Sequence, residues 1–221
     1  EICACLVGSE MCIRDSFMLG LPTETDEDVL GIADLAARVM HAWRESASNK
    51  QRGVRITVST SWFVPKPHTA FQWEPQISKE EYQRRVKLLR EAITTKTVTY
   101  NWHDPDTSFL EAVLARGDRR MCKVLEAAWR KGAKLDAWEE YFSLERWMEA
   151  FDECGLDPHF YANRRRSEDE ILPWSMISTG VSPAYFKREH ALSYEGVTTP
   201  DCRTHCNVCG ANCLVGGTCN V

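Results

Sequence analysis

Phe17-Met18-Leu19-Gly20-Leu21 is a short apolar run that ends in Gly-Leu-Pro, and it predicts a buried strand closing into a turn. Thr25 follows as a helix cap, with Asp26, Glu27 and Asp28 in the first turn, where the helix dipole favours anions. Val29, Ile32, Ala33, Ala36, Val39 and Met40 recur at 3–4 spacing and give that helix one apolar face. A polar loop over 46–53 separates it from Val54-Arg55-Ile56-Thr57-Val58-Ser59, which alternates like a strand and runs on to Trp62-Phe63-Val64 before Pro65 and Pro67 stop it. Strand, helix and strand in this order form a βαβ unit, so the two strands are expected to be parallel. Ser78 and Glu81 make a capping box for a helix carrying Tyr82, Val86, Leu89 and Ile93, and Thr97 to Trp102 reads as one more strand.

From Asp106 onward the periodicity is helical. Ser108-x-x-Glu111 reads as a second capping box. Met121 to Trp129 and Leu144 to Phe151 read as amphipathic helices, punctuated by Gly117, Gly132 and Gly155. Pro183 suits the first turn of a last short helix. After about residue 191 the pattern gives way to a tail rich in Gly, Cys, Asn and Thr.

Composition adds three constraints. With 43% hydrophobic and 27% charged residues, the chain has material for a sizeable core. A net charge of -5 gives no global basic field for nucleic acid. No apolar run approaches the roughly 20 residues of a membrane span and no secretory signal is present, so the chain reads as cytoplasmic, with no membrane partner.

The ten cysteines are clustered rather than spread as in a disulfide framework, which favours metal. Cys202-x3-Cys206-x2-Cys209-x3-Cys213 places four thiols within 12 residues, with Gly210, Gly216 and Gly217 to let the backbone fold round a small object. Iron–sulfur clusters and structural zinc both use four thiolates at such spacings. The spacing leans to iron–sulfur and leaves zinc open; Cys219 can replace one ligand or stay free. Cys122 and Cys154 read as buried small apolar residues on helices, and most of the eight tryptophans as core. His103-Asp104 reads as a capped turn before an acid–base pair, since adjacent residues in a turn seldom face one another. Arg116-Gly117-Asp118-Arg119-Arg120 and Arg164-Arg165-Arg166 are basic clusters, read first as solvated faces and second as contacts for a phosphate-bearing substrate such as RNA.

Two resemblances bear on the whole. Cys5 to Ser16 (CLVGSEMCIRDS) lacks helical and strand periodicity and resembles the read-through translation of a transposon-type sequencing adapter joined to a truncated gene. That sets aside residues 1–16, with Cys3, Cys5 and Cys12, and implies a native chain cut at Phe17. The run Phe17-Met18-Leu19-Gly20-Leu21-Pro22-Thr23-Glu24-Thr25-Asp26-Glu27-Asp28 resembles the late-strand segment of radical S-adenosylmethionine (SAM) enzymes. Phe63 to Trp73, Arg116-Gly117-Asp118-Arg119-Arg120, Leu135-Asp136-Ala137-Trp138, Leu172-Pro173-Trp174 and the Cys-rich tail resemble one uncharacterised branch with an N-terminal cobalamin-binding-like domain.

The resemblance implies an α/β fold. Residues 17–75 would be the last βα units of a partial (β/α)6 barrel, 76–190 a mainly helical region, and 191–221 a metal-binding tail. It implies that Gly20, Pro22 and Glu24 lie near the SAM adenosyl or methionine moiety and that Pro65 and Thr69 line the barrel mouth. The catalytic [4Fe–4S] cluster would be held upstream by a Cys-x3-Cys-x2-Cys loop that this chain lacks, leaving it inactive as it stands. The tail would carry an auxiliary [4Fe–4S] cluster or zinc. Cobalamin, an electron-donor protein and a companion subunit are further expectations, and substrate and catalytic residues stay unknown. The rival reading is a helical binding module with a structural zinc site contacting RNA or a partner protein.

Overall fold

The computed structural model describes residues 11–47 and 53–214, with the side chains of residues 11, 12, 213 and 214 left aside. Cys3, Cys5, Gly216, Gly217, Cys219 and the centre of the polar loop at 48–52 lie outside the described residues. The chain divides into two compact units. The first holds the residues up to Phe63 together with Ile77–Phe109, and the second holds Val64–Gln76 together with the residues from Leu110 on.

The first unit is a three-stranded parallel sheet with two long helices. Strands β1 (Met11–Leu19), β2 (Val54–Trp62) and β3 (Val98–Trp102) lie in that order, with β2 central. Helix α1 (Asp26–Ser46) connects β1 to β2, and α2 (Lys79–Ala92) connects β2 to β3. Both crossovers join neighbouring parallel strands and advance in the same direction, so right-handed connections put both helices on one face. The sheet sits under Val29, Ile32, Ala36 and Met40 of α1 and Tyr82, Val86 and Leu89 of α2. Trp62 stacks on Tyr82 with ring centroids 4.8 Å apart, and Thr60 Oγ1 shares a 2.8 Å hydrogen bond with the Tyr100 hydroxyl. The sheet is α/β and parallel as expected; three strands form an open sheet.

Two differences from the sequence reading concern element starts. Strand β1 begins at Met11, inside the stretch read as lacking strand periodicity, and pairs with β2 from Met11↔Val54 to Leu19↔Trp62. Ladder bonds come from the backbone, and the alternate residues Arg14 and Ser16 face the sheet's polar side, so they do not oppose the strand, while Asp15 is half-buried in register with Val58. Helix α3 (Pro105–Ala115) starts three residues before the expected box at Ser108. Its cap is Asp104, whose Oδ1 accepts from the amides of Asp106 (3.0 Å) and Thr107 (2.9 Å), and Pro105 takes the first helical position.

The second unit is helical. Helices α4 (Met121–Arg130), α5 (Leu144–Glu153), α6 (Pro158–Ala162) and α7 (Pro183–Tyr194) follow in order, with a single 3-10 turn at Ala211–Leu214. Met121, Val124, Ala127 and Ala128 of α4 and Trp147, Ala150 and Phe151 of α5 are buried. Cys122 is exposed, not buried: it sits one residue beyond Met121, off the apolar stripe, and Cys154 is the half-buried residue that ends α5. Half of the tryptophans, Trp62, Trp73, Trp147 and Trp174, are core, whereas Trp129 and Trp138 are more than half exposed. No described helix is long and apolar enough to cross a membrane.

Gly20 sits at the end of β1 with φ +94°, in the left-handed region, and a Cβ there would come within 2.8 Å of Ile77 Cδ1. The Ile77 tip can give way; the backbone angle cannot. Gly20→Ala is expected to destabilise the first unit by about 1–2 kcal/mol, read as a lower urea midpoint with an unchanged slope.

Candidate functional site

In a parallel sheet the loops that follow the strands gather at the carboxyl ends, where α/β folds bind ligands. Three strand ends meet this edge in the first unit, at Leu19, Trp62 and Trp102, with Phe63 N–H donating to the Leu19 carbonyl (2.8 Å) and His103 N–H to the Thr60 carbonyl (2.9 Å). The sheet face away from the helices is polar. Arg14, Thr57 and Thr99 align across the three strands, Ser16, Ser59 and Asn101 form the next row, and Met18 and Ser61 the last. Every one of these side chains is half-buried or exposed.

The turn that opens this edge is Gly20 to Thr25. Glu24 folds back so that both carboxylate oxygens accept from the Gly20 amide at 3.1 Å, and its carboxylate is ion-paired with Arg85 of α2. Only 6% of the Glu24 side chain and 12% of Arg85 is exposed. The strand–helix amide is therefore occupied from within the chain, and Gly20 and Glu24 shape the turn. Pro22 is half-buried in it. Thr25 caps α1 in a reciprocal box with Asp28. Arg85 also donates to Glu81 (2.8 Å), and Arg84 bridges Glu81 to Asp26 through bonds of 2.6–3.0 Å. His103 and Asp104 are both exposed, and Asp104 is engaged as the α3 cap.

In the second unit, Pro65 is buried and Thr69 is exposed, its hydroxyl donating to the Lys66 carbonyl at 2.8 Å. His68, between them, has φ +56°, and its Nε2 is buried without a partner. A cavity of about 410 Å³ opens here, lined by His68, Gln72, Trp73, Glu168, Trp174 and Phe186 among others. Beside it stands a group that sequence reasoning missed. His190 of α7 is 5% exposed and places Nε2 2.7 Å from Glu74 Oε1 and Nδ1 2.9 Å from Glu168 Oε1. The same Glu74 oxygen accepts from the Tyr194 hydroxyl (2.8 Å) and faces Arg165 at 2.9 Å. Both imidazole nitrogens are committed to carboxylates, so the ring is fixed and neither nitrogen is free for a substrate or a metal. Glu74 and His190 are 116 residues apart, and no local motif signals the pair.

The cysteine tail is docked on the start of α7. Ser182 N–H donates to the Cys209 carbonyl (2.8 Å), and Arg188 donates to the Asn207 carbonyl (2.8 Å). Val208 (φ +54°) and Gly210 (φ +91°) curl the backbone round Cys209. Asn207 Nδ2 lies 3.8 Å from Cys202 Sγ. Burial first, and then Glu189, push the Tyr185 phenol up. Cys202, Cys206 and Cys209 are free thiols, which suits a thiolate ligand set. Among the described residues, no three His, Cys, Asp or Glu side chains converge closely enough to hold a metal ion. The Cys213 side chain lies outside them.

The edge network is open to test through pH. The guanidinium groups of Arg84 and then Arg85 hold the Glu81 carboxyl down to about 2 from its ordinary 4.5. A depressed carboxylate contributes stability that is complete above its unfolded value and is lost as pH falls through its folded value. The first unit is expected to lose stability between about pH 5 and about pH 2, and Glu81→Gln to flatten that slope, measured by urea unfolding at stepped pH.

An uncharacterized protein of Methanocaldococcus jannaschii is 25% identical over 141 residues, covering 63% of this chain and 29% of that protein. The chain thus matches under a third of that relative's length. No family model matches, and no solved structure matches.

Proposed function

We propose that this chain supplies the last βα units of a partial (β/α)6 barrel in a radical SAM iron–sulfur enzyme. One observation carries the reading: the sheet is parallel, its helices lie on one face, and the other face carries rows of short polar side chains, Thr57, Ser59 and Ser61 above all. Parallel sheets are normally apolar on both faces because both are covered. A polar second face suits the inner wall of a barrel that holds a polar ligand. Of the residues carried over from the resemblance, Gly20 and Glu24 close the βα turn and Pro22 stands at the strand end, while Pro65 and Thr69 lie in the second unit, on the segment that follows β2.

SAM, reductively cleaved when bound beside a [4Fe–4S] cluster, supplies a 5′-deoxyadenosyl radical. The loops after β1, β2 and β3 contain no cysteine, so the ligands of that cluster would come from an earlier strand. This chain's own contribution is to bind and orient: polar rows for the ligand, a turn locked by the Glu24–Arg85 pair, and helices that keep water from the outer face. The fourth thiolate, Cys213, completes the set Cys202, Cys206 and Cys209 for an auxiliary cluster or zinc. A second reading, a helical module stapled by zinc, draws on the docking of this tail on α7.

Two measurements test the proposal. The reading frame upstream of Phe17 is expected to encode further βα units with a Cys-x3-Cys-x2-Cys loop. The longer protein, reconstituted anaerobically with iron and sulfide and given dithionite, is expected to convert SAM to 5′-deoxyadenosine. A frame without that loop, or a reconstituted protein that leaves SAM intact, overturns the reading. The present chain, purified anaerobically, is expected to be brown and oxygen-sensitive, with iron lost in Cys206→Ser and Cys209→Ser. A colourless, air-stable protein holding zinc would favour the stapled module instead.

A further inference from the structure

The two basic clusters of the second unit, at 116–120 and 164–166 and thus 44 to 50 residues apart in sequence, are one structure. Arg116 is fully buried and donates from Nη1 to the Ala162 carbonyl (2.7 Å) and from Nη2 to the Arg164 carbonyl (2.9 Å). Arg166 is 4% exposed, returns a bond from Nη2 to the Arg116 carbonyl (2.7 Å), and lies over the Trp174 ring at 5.1 Å. Neither guanidinium has a carboxylate within ion-pair distance among the described residues, and the Nε of each is buried without a partner. Burying charge without a counter-charge is costly, and buried charges are normally paired.

A cavity of about 670 Å³ opens against Arg166. Arg119, Arg120 and Arg164 also line it, with Asp118 and Glu170 as its carboxylates. Both acids are already engaged. Asp118 holds Arg120 at 2.6–3.1 Å, and Glu170 takes Arg164 in a bidentate pair at 2.7 and 2.8 Å. Arg119, which is exposed, and Arg166 make no ion-pair contact with a carboxylate among the described residues, and Glu170 and Asp118 act on Arg166 only at longer range. The rest of the wall is apolar, with Phe160 and Met176 prominent and both well exposed. The volume is that of a small-ligand site.

We propose that this cavity binds a phosphate ester, with phosphoryl oxygens on Arg119 and Arg166 and the apolar or aromatic body of the ligand against Phe160 and Met176. Planar guanidinium forks match phosphate oxygens, and an anion supplies the counter-charge that the buried pair lacks. The site lies wholly in the second unit and does not depend on the SAM reading.

The test uses the whole chain at fixed ionic strength, with inorganic phosphate, AMP and adenosine as probes and the thermal unfolding midpoint and calorimetric titration as readouts. Phosphate and AMP are expected to raise the midpoint and saturate, AMP at the lower concentration, while adenosine has no effect. Arg119 is exposed, so Arg119→Ala is expected to keep the far-UV spectrum and weaken AMP by about 10-fold or more, as loss of a charge-assisted bond does. Arg166→Gln, if it folds, is expected to abolish the phosphate effect. Failure of phosphate and AMP to saturate, adenosine binding as tightly as AMP, or Arg119→Ala binding AMP like the unaltered chain would each overturn the assignment.

Discussion

A parallel sheet must be covered, and the one in this chain is covered by α1 and α2 on one side. Strands β1, β2 and β3 cannot be joined by tight turns, so each connection is a crossover, and both crossovers fall on the same face. The apolar half of each strand is thereby used up: Ile56, Val58 and Trp62 meet the helices. The alternate half is polar, with Arg14, Ser16, Thr57, Ser59, Thr99 and Asn101 side by side. The asymmetry leaves the other face polar, and parallel direction brings three strand ends to one edge.

The turn at that edge illustrates how the chain treats charge near its strands. Glu24 is nearly buried yet sits against a backbone amide and a guanidinium, which together repay its desolvation. Arg85, Glu81, Arg84 and Asp26 extend the pairing outward into solvent, where each exposed pair contributes little on its own. The second unit handles Glu74 in the same way, with His190, Tyr194 and Arg165 converging on one oxygen. Arg116 and Arg166 break the rule, since backbone carbonyls, and for Arg166 the Trp174 ring, contact them in place of a carboxylate. Carbonyl dipoles stabilise a buried cation only in part, and that shortfall is what sets this corner apart.

The parts of the fold legible in the sequence are those fixed by local chemistry. Thr25, Ser78 and Pro183 mark helix starts because a cap acts within three residues of itself. The parallel β1–β2 pair follows from element order. What depends on partners far along the chain was not legible. Polar Arg14 and Ser16 count against a strand until a neighbour supplies the ladder and a sheet face tolerates them. Glu24 looks like a ligand-binding carboxylate until Arg85, 61 residues on, claims it. Ser108 and Glu111 have the capping-box spacing, but Asp104-Pro105 has already started the helix, and Glu111 pairs with Lys66 instead. The four tail cysteines are conspicuous in sequence because their spacing is itself local.

Net charge illustrates the same limit. A chain at -5 has no global field for anions, and the basic runs at 116–120 and 164–166 look like solvated faces when read one at a time. Affinity for an anion depends on the field at one place, not on the sum over the surface. Folding sets Arg166 against Arg116 and leaves Asp118 and Glu170 occupied by other arginines, so a positive excess collects where the acids are already used. The remaining acidic residues are spread over helix surfaces, many in i,i+3 or i,i+4 pairs such as Arg130–Glu126, where solvent screens them. An acidic protein can therefore carry a basic cavity, and the burial of Arg166, more than the number of arginines around it, gives that excess its reach.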